Sequence, residues 1–374
     1  MNKIPVLNWT SGPAGRPFLM LLACLVLLGS GIGPLQAANG PTVMKDRVFI
    51  GVHQTYQSWS PQTKKFVDKT TTWMPNMKFT VAGPIPGGSQ LSVEFTKPGG
   101  RPWLKLDCPT EEVKENAWYA VSTPRETSIE FQKKYTAGTG VFGFKIRSSN
   151  ELTGQNTVLL AGKFTVGKIP KGRGLSGWQN VVNYYVDHDW ALPIGSVALY
   201  NAYSSSVPPM LTAWMWCKGE EVGPNMAGYV FYNGKQIAST KDAGVGATVN
   251  ADLELNTITN DKGDPKWILW SFTWGIIGSK PDAPKDYPLY MLDKHPGVYT
   301  IKILRKGKLC RETSFTVGEG GKIIDTGIGL ANNLIKDRVI VPVKVLGTTD
   351  GIWRKTAWAT EAFYGNPLKG FAAP

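Results

Sequence analysis

Histidine and cysteine are scarce in this chain, three and four residues respectively in 374, and they are scattered rather than spaced as metal ligands. His53, His188 and His295 lie far apart, and no two cysteines have the short spacing of a zinc site. Gly-x-Ser-x-Gly, His-Glu-x-x-His and P-loop motifs are all missing. Gly174-Leu175-Ser176-Gly177 comes near the first, but Trp178 stands where the elbow glycine belongs. No helix-turn-helix, zinc-finger or RNA-binding signature is present, so nucleic acid is not an expected partner. Nor, beyond the N-terminus, is there an apolar run long enough to cross a bilayer: the stretch 267–277 is short and contains Ser271 and Thr273. Acidic residues are outnumbered 28 to 41, leaving a net charge of +13. Such a balance favours anionic envelope polymers, anionic glycans or lipid headgroups as partners. These absences suggest a non-enzymatic protein without cofactor or metal.

What is present begins with Lys3 and Arg16, an apolar run at 18–28, and Leu35-Gln36-Ala37. This order of charged, apolar and small-residue regions is that of a signal peptide, cut after Ala37. Leu21-Leu22-Ala23-Cys24 loosely resembles a lipobox, although Cys24 sits midway through the apolar run. The expectation is a secreted or periplasmic protein with no transmembrane span.

The rest of the chain repeats itself. Cys108-Pro109-Thr110-Glu111-Glu112-Val113 matches Cys217-Lys218-Gly219-Glu220-Glu221-Val222, and the match extends to Asn116 and Asn225. Gly140-Val141-Phe142 and Lys145-Ile146 match Gly297-Val298-Tyr299 and Lys302-Ile303, and Phe-Thr-Val-Gly recurs at 164–167 and 315–318. Two copies of one domain are therefore expected, at 42–167 and 176–318. They would be joined by a Gly/Lys/Pro linker at 168–175 and followed by a tail at 319–374. Lys-Asp-Arg-Val also recurs, at 45–48 and 336–339, a match short enough to be chance or a fragment of a third repeat.

Hydrophobicity alternates with a period of two in strand-length windows, glycine and proline punctuate it, and long amphipathic patterns are missing. An all-β sandwich follows. Asn233-Gly234 between apolar runs predicts a type I′ hairpin. In the tail, Asp337–Leu346 reads as a strand that Pro342 pushes to an edge or bulge, and 350–364 reads as a short helix stopped at Gly365-Asn366-Pro367.

At the end of each copy, a Gly-x-aromatic start, an alternating strand, a turn and a strand ending Phe-Thr-Val resemble the closing hairpin of immunoglobulin-like domains. Tyr299 resembles their tyrosine corner, and Trp270 the buried tryptophan of a central strand. The resemblance implies two duplicated immunoglobulin-like β-sandwiches with a short C-terminal tail. Domain 1 has Phe142 where Tyr299 stands, and the paired cysteines of antibody domains are missing.

Contrast between the copies locates candidate sites. With Cys108 set against Cys217, both thiols fall on apolar faces, and Lys105 and Asp107 correspond to Trp214 and Trp216. Two indoles at i and i+2 form a flat platform for sugar rings, unless the tail or the other domain covers them. Asn225 to Gly297 holds far more chain than Asn116 to Gly140, which reads as an insertion suited either to a binding loop or to extra edge strands. Lys302, Arg305, Lys306, Lys308 and Arg311 form a basic hairpin, read either as a site for anionic polymers or as charge guarding an edge strand. Asn260–Asp264 is read as a polar turn rather than a calcium loop. The repeated Glu111-Glu112 and Glu220-Glu221 are read as turn or cap residues. Asp187-His188-Asp189 is a loop start or, alternatively, a metal or base-orienting group. Cys310 aligns with Leu159, so no disulfide is shared between copies; a Cys217–Cys310 bridge stays open, although the two side chains are expected on different faces.

The functional expectation is a cell-envelope binding or structural module with ligand contacts at Trp214, Trp216 and the basic hairpin. A carbohydrate-binding accessory protein is the alternative within the binding class, and a hydrolase whose carboxylates converge only in three dimensions the alternative outside it.

Overall fold

Alternation in the sequence becomes alternation between core and solvent. In strand Ser89–Thr96, Leu91, Val93 and Phe95 are buried. In Pro102–Cys108, Leu104 and Cys108 point inward while Lys105 and Asp107 are exposed. Removing each such apolar side chain from water contributes about 1.5–3 kcal/mol, and the second face of each strand stays polar. The computed structural model describes residues 40–374 apart from 56–58, 61, 64, 67–70, 114–117, 125–133, 171–180, 202–207, 220–224, 243–246, 253–266, 280–288, 333 and 335–336. The expected signal peptide, the lipobox-like Cys24, Glu220-Glu221 and Asn260–Asp264 lie outside the described residues.

The protein is an all-β assembly. In the first half, one sheet runs Phe49–Thr55, Thr72–Ala82, Trp118–Ser122, Thr110–Val113, with Thr42–Val43 also on Thr72–Ala82. The other runs Val182–Val186, Gln155–Pro170, Gly140–Asn150, Ser89–Thr96, Pro102–Cys108. In the second half, Ile194–Tyr200, Met210–Lys218, Trp267–Ile277 and Thr248–Asp252 follow one another, as do Lys308–Val317, Gly297–Arg305, Met226–Tyr232 and Lys235–Ser239. All these pairings are antiparallel.

The two hairpins noticed in the sequence share their register. Gly140 pairs with Val166 and Phe142 with Phe164, just as Gly297 pairs with Val317 and Tyr299 with Phe315. Each has a bulge at the same place, after Ile146 and after Ile303. Phe142 stacks on Phe164 at 5.6 Å and Tyr299 on Phe315 at 5.4 Å. The Tyr299 hydroxyl donates to the carbonyl of His295 at 2.6 Å, and Trp270 is buried in a strand flanked on both sides. The Asn233-Gly234 and Lys306-Gly307 turns have φ of 49° and 76°, and 50° and 73°, which a type I′ turn requires of both central residues.

The strand pairings correct part of the repeat alignment. The strand ending at Cys108 pairs with Ser89–Thr96, whereas the Cys217 strand lies in the opposite layer, between Ile194–Tyr200 and Trp267–Ile277. Cys108 and Cys217 are therefore not topological equivalents. The hairpin Met226–Ser239 and strand Trp267–Ile277 are regular members of the second half's sheets rather than an insertion. Cys217 and Cys310, expected on different faces, sit in one core as free thiols, and Cys310 Sγ donates to the carbonyl of Ile303 at 3.4 Å.

At the expected linker, residues 168–170 continue the strand Gln155–Pro170, and Val182–Val186 pairs back onto it. The tail does more than follow the second half. Its strand Val339–Val345 pairs with Ile194–Tyr200 through residues 339–342 and with Lys308–Val317 through 343–345. Pro342, expected at an edge or bulge, occupies the point where the strand changes partner, so its missing N–H interrupts neither ladder. Beyond it, the predicted helix shrinks to Trp358–Gly365, and even there Ala362, Phe363 and Tyr364 leave helical geometry. Phe363 and Tyr364 have φ of 46° and 62°, a left-handed conformation rare for bulky residues. Packing holds them: Phe363 lies 5.0 Å from the Trp190 ring, and Asn366 Nδ2 donates to the carbonyl of Ala161 at 3.0 Å.

Candidate functional site: an aromatic cleft with two arginines

Strand Met210–Lys218 turns Ala213, Met215 and Cys217 into the core of the second half. Trp214 and Trp216 consequently point the other way, but not into open solvent. Trp214 is only 8% exposed and Trp216 is half-buried against the core of the first half. The expected open platform is thus corrected: the first half and the tail cover the two indoles. Between them remains a cleft of about 640 Å³, whose lining includes Trp214, Trp216, Phe49, Phe79 and Val121.

The deep end of the cleft is built around His188. Its ring is stacked on Phe49 at 5.5 Å and on Trp216 at 6.0 Å, nearly parallel to both. Nδ1 lies 3.0 Å from the carbonyl of Val186 and Nε2 lies 3.0 Å from the Tyr364 hydroxyl. A carbonyl can only accept, so Nδ1 carries the proton and Nε2 accepts from Tyr364. The same hydroxyl accepts the backbone N–H of Ile50 at 2.8 Å. Burial pushes the His188 pKa down to about 4, opposed by the Val186 carbonyl and by Asp189, so the ring is neutral at physiological pH. Asp187 and Asp189 are committed elsewhere. Asp189 Oδ1 accepts from Lys218 Nζ at 2.8 Å and Trp267 Nε1 at 3.0 Å, and its Oδ2 accepts the backbone N–H of Arg354 at 2.8 Å. Asp187 pairs with Arg354 at 3.1 Å. The Asp187-His188-Asp189 run is thus a structural junction. Among the described residues no cluster of three or more His, Cys, Asp or Glu is placed to hold a metal ion.

The outer end is cationic. The Arg338 guanidinium lies over the Trp214 ring at 3.8 Å, and the Tyr200 ring meets Trp214 edge-on at 5.4 Å. Arg338 Nε is buried without a hydrogen-bond partner, its nearest ion-pair contact being Asp337 Oδ1 at 4.0 Å. Arg47 reaches the other oxygen of Asp337 at 3.5 Å. Burial, then the proximity of Arg47, lower the Arg338 pKa from its ordinary value. Asp46 and Lys78 also line this end.

The basic hairpin does not form one surface. The Arg311 side chain is fully buried and grips both oxygens of Asp350, at 2.6 and 2.5 Å, while Nε and Nη2 donate to the carbonyl of Trp216 at 3.1 and 2.8 Å. Arg305 is also buried, with Nη1 donating to the carbonyls of Lys218 and Thr349 at 2.7 and 2.9 Å. Lys302 pairs with Glu312 at 3.7 Å and lies over the Phe231 ring. Lys306 and Lys308 are exposed at the turn. Arg311 is in phase with the buried Thr313, Phe315 and Val317, so alternation along its own strand turns it inward, and the bulge adds the neighbouring Cys310 to the buried residues.

Sequence reasoning missed Arg338, Arg47, Phe49 and Tyr364. One signal pointed at two of them. Arg47 and Arg338 are the third residues of the recurring Lys-Asp-Arg-Val, and the fold brings both to the same cleft. Comparison of the chain with protein-family models and with curated protein sequences gives no match.

Proposed function

We propose that the chain is an exported, non-enzymatic binding module of the cell envelope, built from two tandem immunoglobulin-like β-sandwiches, and that its ligand enters the cleft walled by Trp214 and Trp216. The cleft itself carries this reading. Its volume of about 640 Å³ lies within the range of ligand pockets, and aromatic walls with a few polar groups are what such pockets share. The buried titratable groups around it are engaged in holding the two halves and the tail together, which suits binding better than acid or base chemistry.

The fold assignment draws on three observations. Each half has the same pairing order, in which the first, second, sixth and fifth strands make one layer and the eighth, seventh, third and fourth the other. The closing hairpins share register and bulge. Tyr299 makes the upstream backbone bond of a tyrosine corner. Export rests on the N-terminal pattern at 1–37.

Retention of the purified protein on cell-wall sacculi, and on an array of envelope glycans, tests the proposal. Ser122 is exposed and lines the cleft, so Ser122→Trp fills the space without disturbing a core. Retention abolished by Ser122→Trp is the expected result. Equal retention of the folded variant overturns the cleft as the site.

A further inference from the structure

Arg47 and Arg338, the arginines of two Lys-Asp-Arg-Val segments nearly three hundred residues apart in sequence, converge at the outer end of the cleft. Arg47 of the first touches Asp337 of the second, and Arg338 of the second is laid on Trp214. Their charges are poorly matched. The only ion pairs that Arg338 and Arg47 make there among the described residues are the long contacts to Asp337, at 4.0 and 3.5 Å. Lys78 adds a third cation to the lining, and Asp46 a carboxylate.

A guanidinium whose carbon sits 3.8 Å over an indole is restrained in position, and guanidinium N–H groups form a fork suited to an oxyanion. A buried N–H without an acceptor, as at Arg338 Nε, is unfavourable until an acceptor reaches it. Beside this fork stand two indoles, which pack against sugar rings, and the hydroxyls of Thr80, Ser122 and Ser196, which can exchange hydrogen bonds with sugar hydroxyls. A lipid chain would make no use of those hydroxyls.

We infer that the cleft takes an acidic saccharide, with the oxyanion held between Arg338 and Arg47 and the sugar ring against Trp214 and Trp216. The inference rests on the cleft being the ligand site and adds the class of ligand. Carboxylate and phosphate are both oxyanions of the required shape, and the test separates them.

Tryptophan fluorescence of the purified protein is titrated with trigalacturonate, with mannotriose 6-phosphate and with neutral mannotriose. At least one acidic sugar is expected to give saturable quenching and to bind about tenfold more tightly than neutral mannotriose, and Arg338→Gln to weaken it about fivefold or more. Arg47 is a third exposed, so Arg47→Gln provides a second variant that does not touch the core, expected to weaken binding in the same direction. The trisaccharide that binds identifies the oxyanion. Neutral mannotriose binding as tightly as both acidic sugars, no binding of either acidic sugar, or unchanged affinity in folded Arg47→Gln overturns the inference. In each of these cases the cleft reading stands or falls separately on Ser122→Trp and sacculus retention.

Discussion

Tyr364 donates its hydroxyl proton to His188 Nε2 at 3.0 Å and accepts the N–H of Ile50 at 2.8 Å through the same oxygen. One phenol thus joins the tail, the segment that opens the second half and the first sheet of the first half. Tyr364→Phe keeps the ring and removes both bonds. Two buried groups lose their partner, so unfolding in urea is expected to show a loss of about 1–3 kcal/mol or more.

His188 itself predicts a pH dependence. Its folded pKa of about 4 lies below the value of about 6.5 in an unfolded chain. Between these values the unfolded state binds more protons, so stability is full above pH 6.5 and falls as the pH drops toward 4. The total is on the order of 3 kcal/mol. Denaturation midpoints measured from pH 7 to pH 4 should show this slope in the native protein and lose it in His188→Gln.

Arg311 and Asp350 form a buried two-oxygen ion pair. Asp350→Ala leaves a fully buried guanidinium without its counter-charge, and a loss of about 3–5 kcal/mol is expected. Lys306→Ala and Lys308→Ala, at an exposed turn, should stay within about 0.5 kcal/mol of the native protein. Equal effects at all three positions in thermal unfolding would contradict the division of the basic hairpin into buried and exposed cations.

Gly162 gives a test of tail docking. A Cβ placed there would lie 2.5 Å from the Tyr364 carbonyl oxygen and 2.7 Å from the Phe144 ring. Gly162→Ala is expected to cost about 1–3 kcal/mol and to open the segment after residue 350 to limited proteolysis, detected by mass of the fragments.

Cys108, Cys217 and Cys310 are all buried, and burial together with Asp107 pushes the Cys108 thiol up to about 12. Alkylation at pH 8 should leave Cys108 unmodified in the folded protein and label it after unfolding, because the thiolate is the reactive form.

Periodicity in the sequence read the faces of strands well. It separated Trp214 and Trp216 from Ala213, Met215 and Cys217, and Leu104 from Lys105, because a strand places neighbours on opposite sides whatever surrounds it. It could not read what lies across from a face, and the platform therefore became a cleft wall. Arg305 shares a face with Tyr299, Ile301 and Ile303, and Arg311 shares one with Phe315 and Val317, so alternation itself placed both inward although their charge suggested the surface. The closing hairpins were legible because similar strand sequences adopted one register. The Cys-x-x-Glu-Glu-Val match misled because similar short sequences ended different strands. Lys-Asp-Arg-Val was too short to separate from chance, and yet its two arginines meet.

The strand Val339–Val345 bridges Ile194–Tyr200 and Lys308–Val317, so the second half lacks the strand that joins these two until residues 339–345 have been made. During synthesis the first half can close its hairpins while the second still exposes two unpaired strand edges. A chaperone that shields extended segments would find a target there, and the emergence of residues 339–345 decides when that exposure ends.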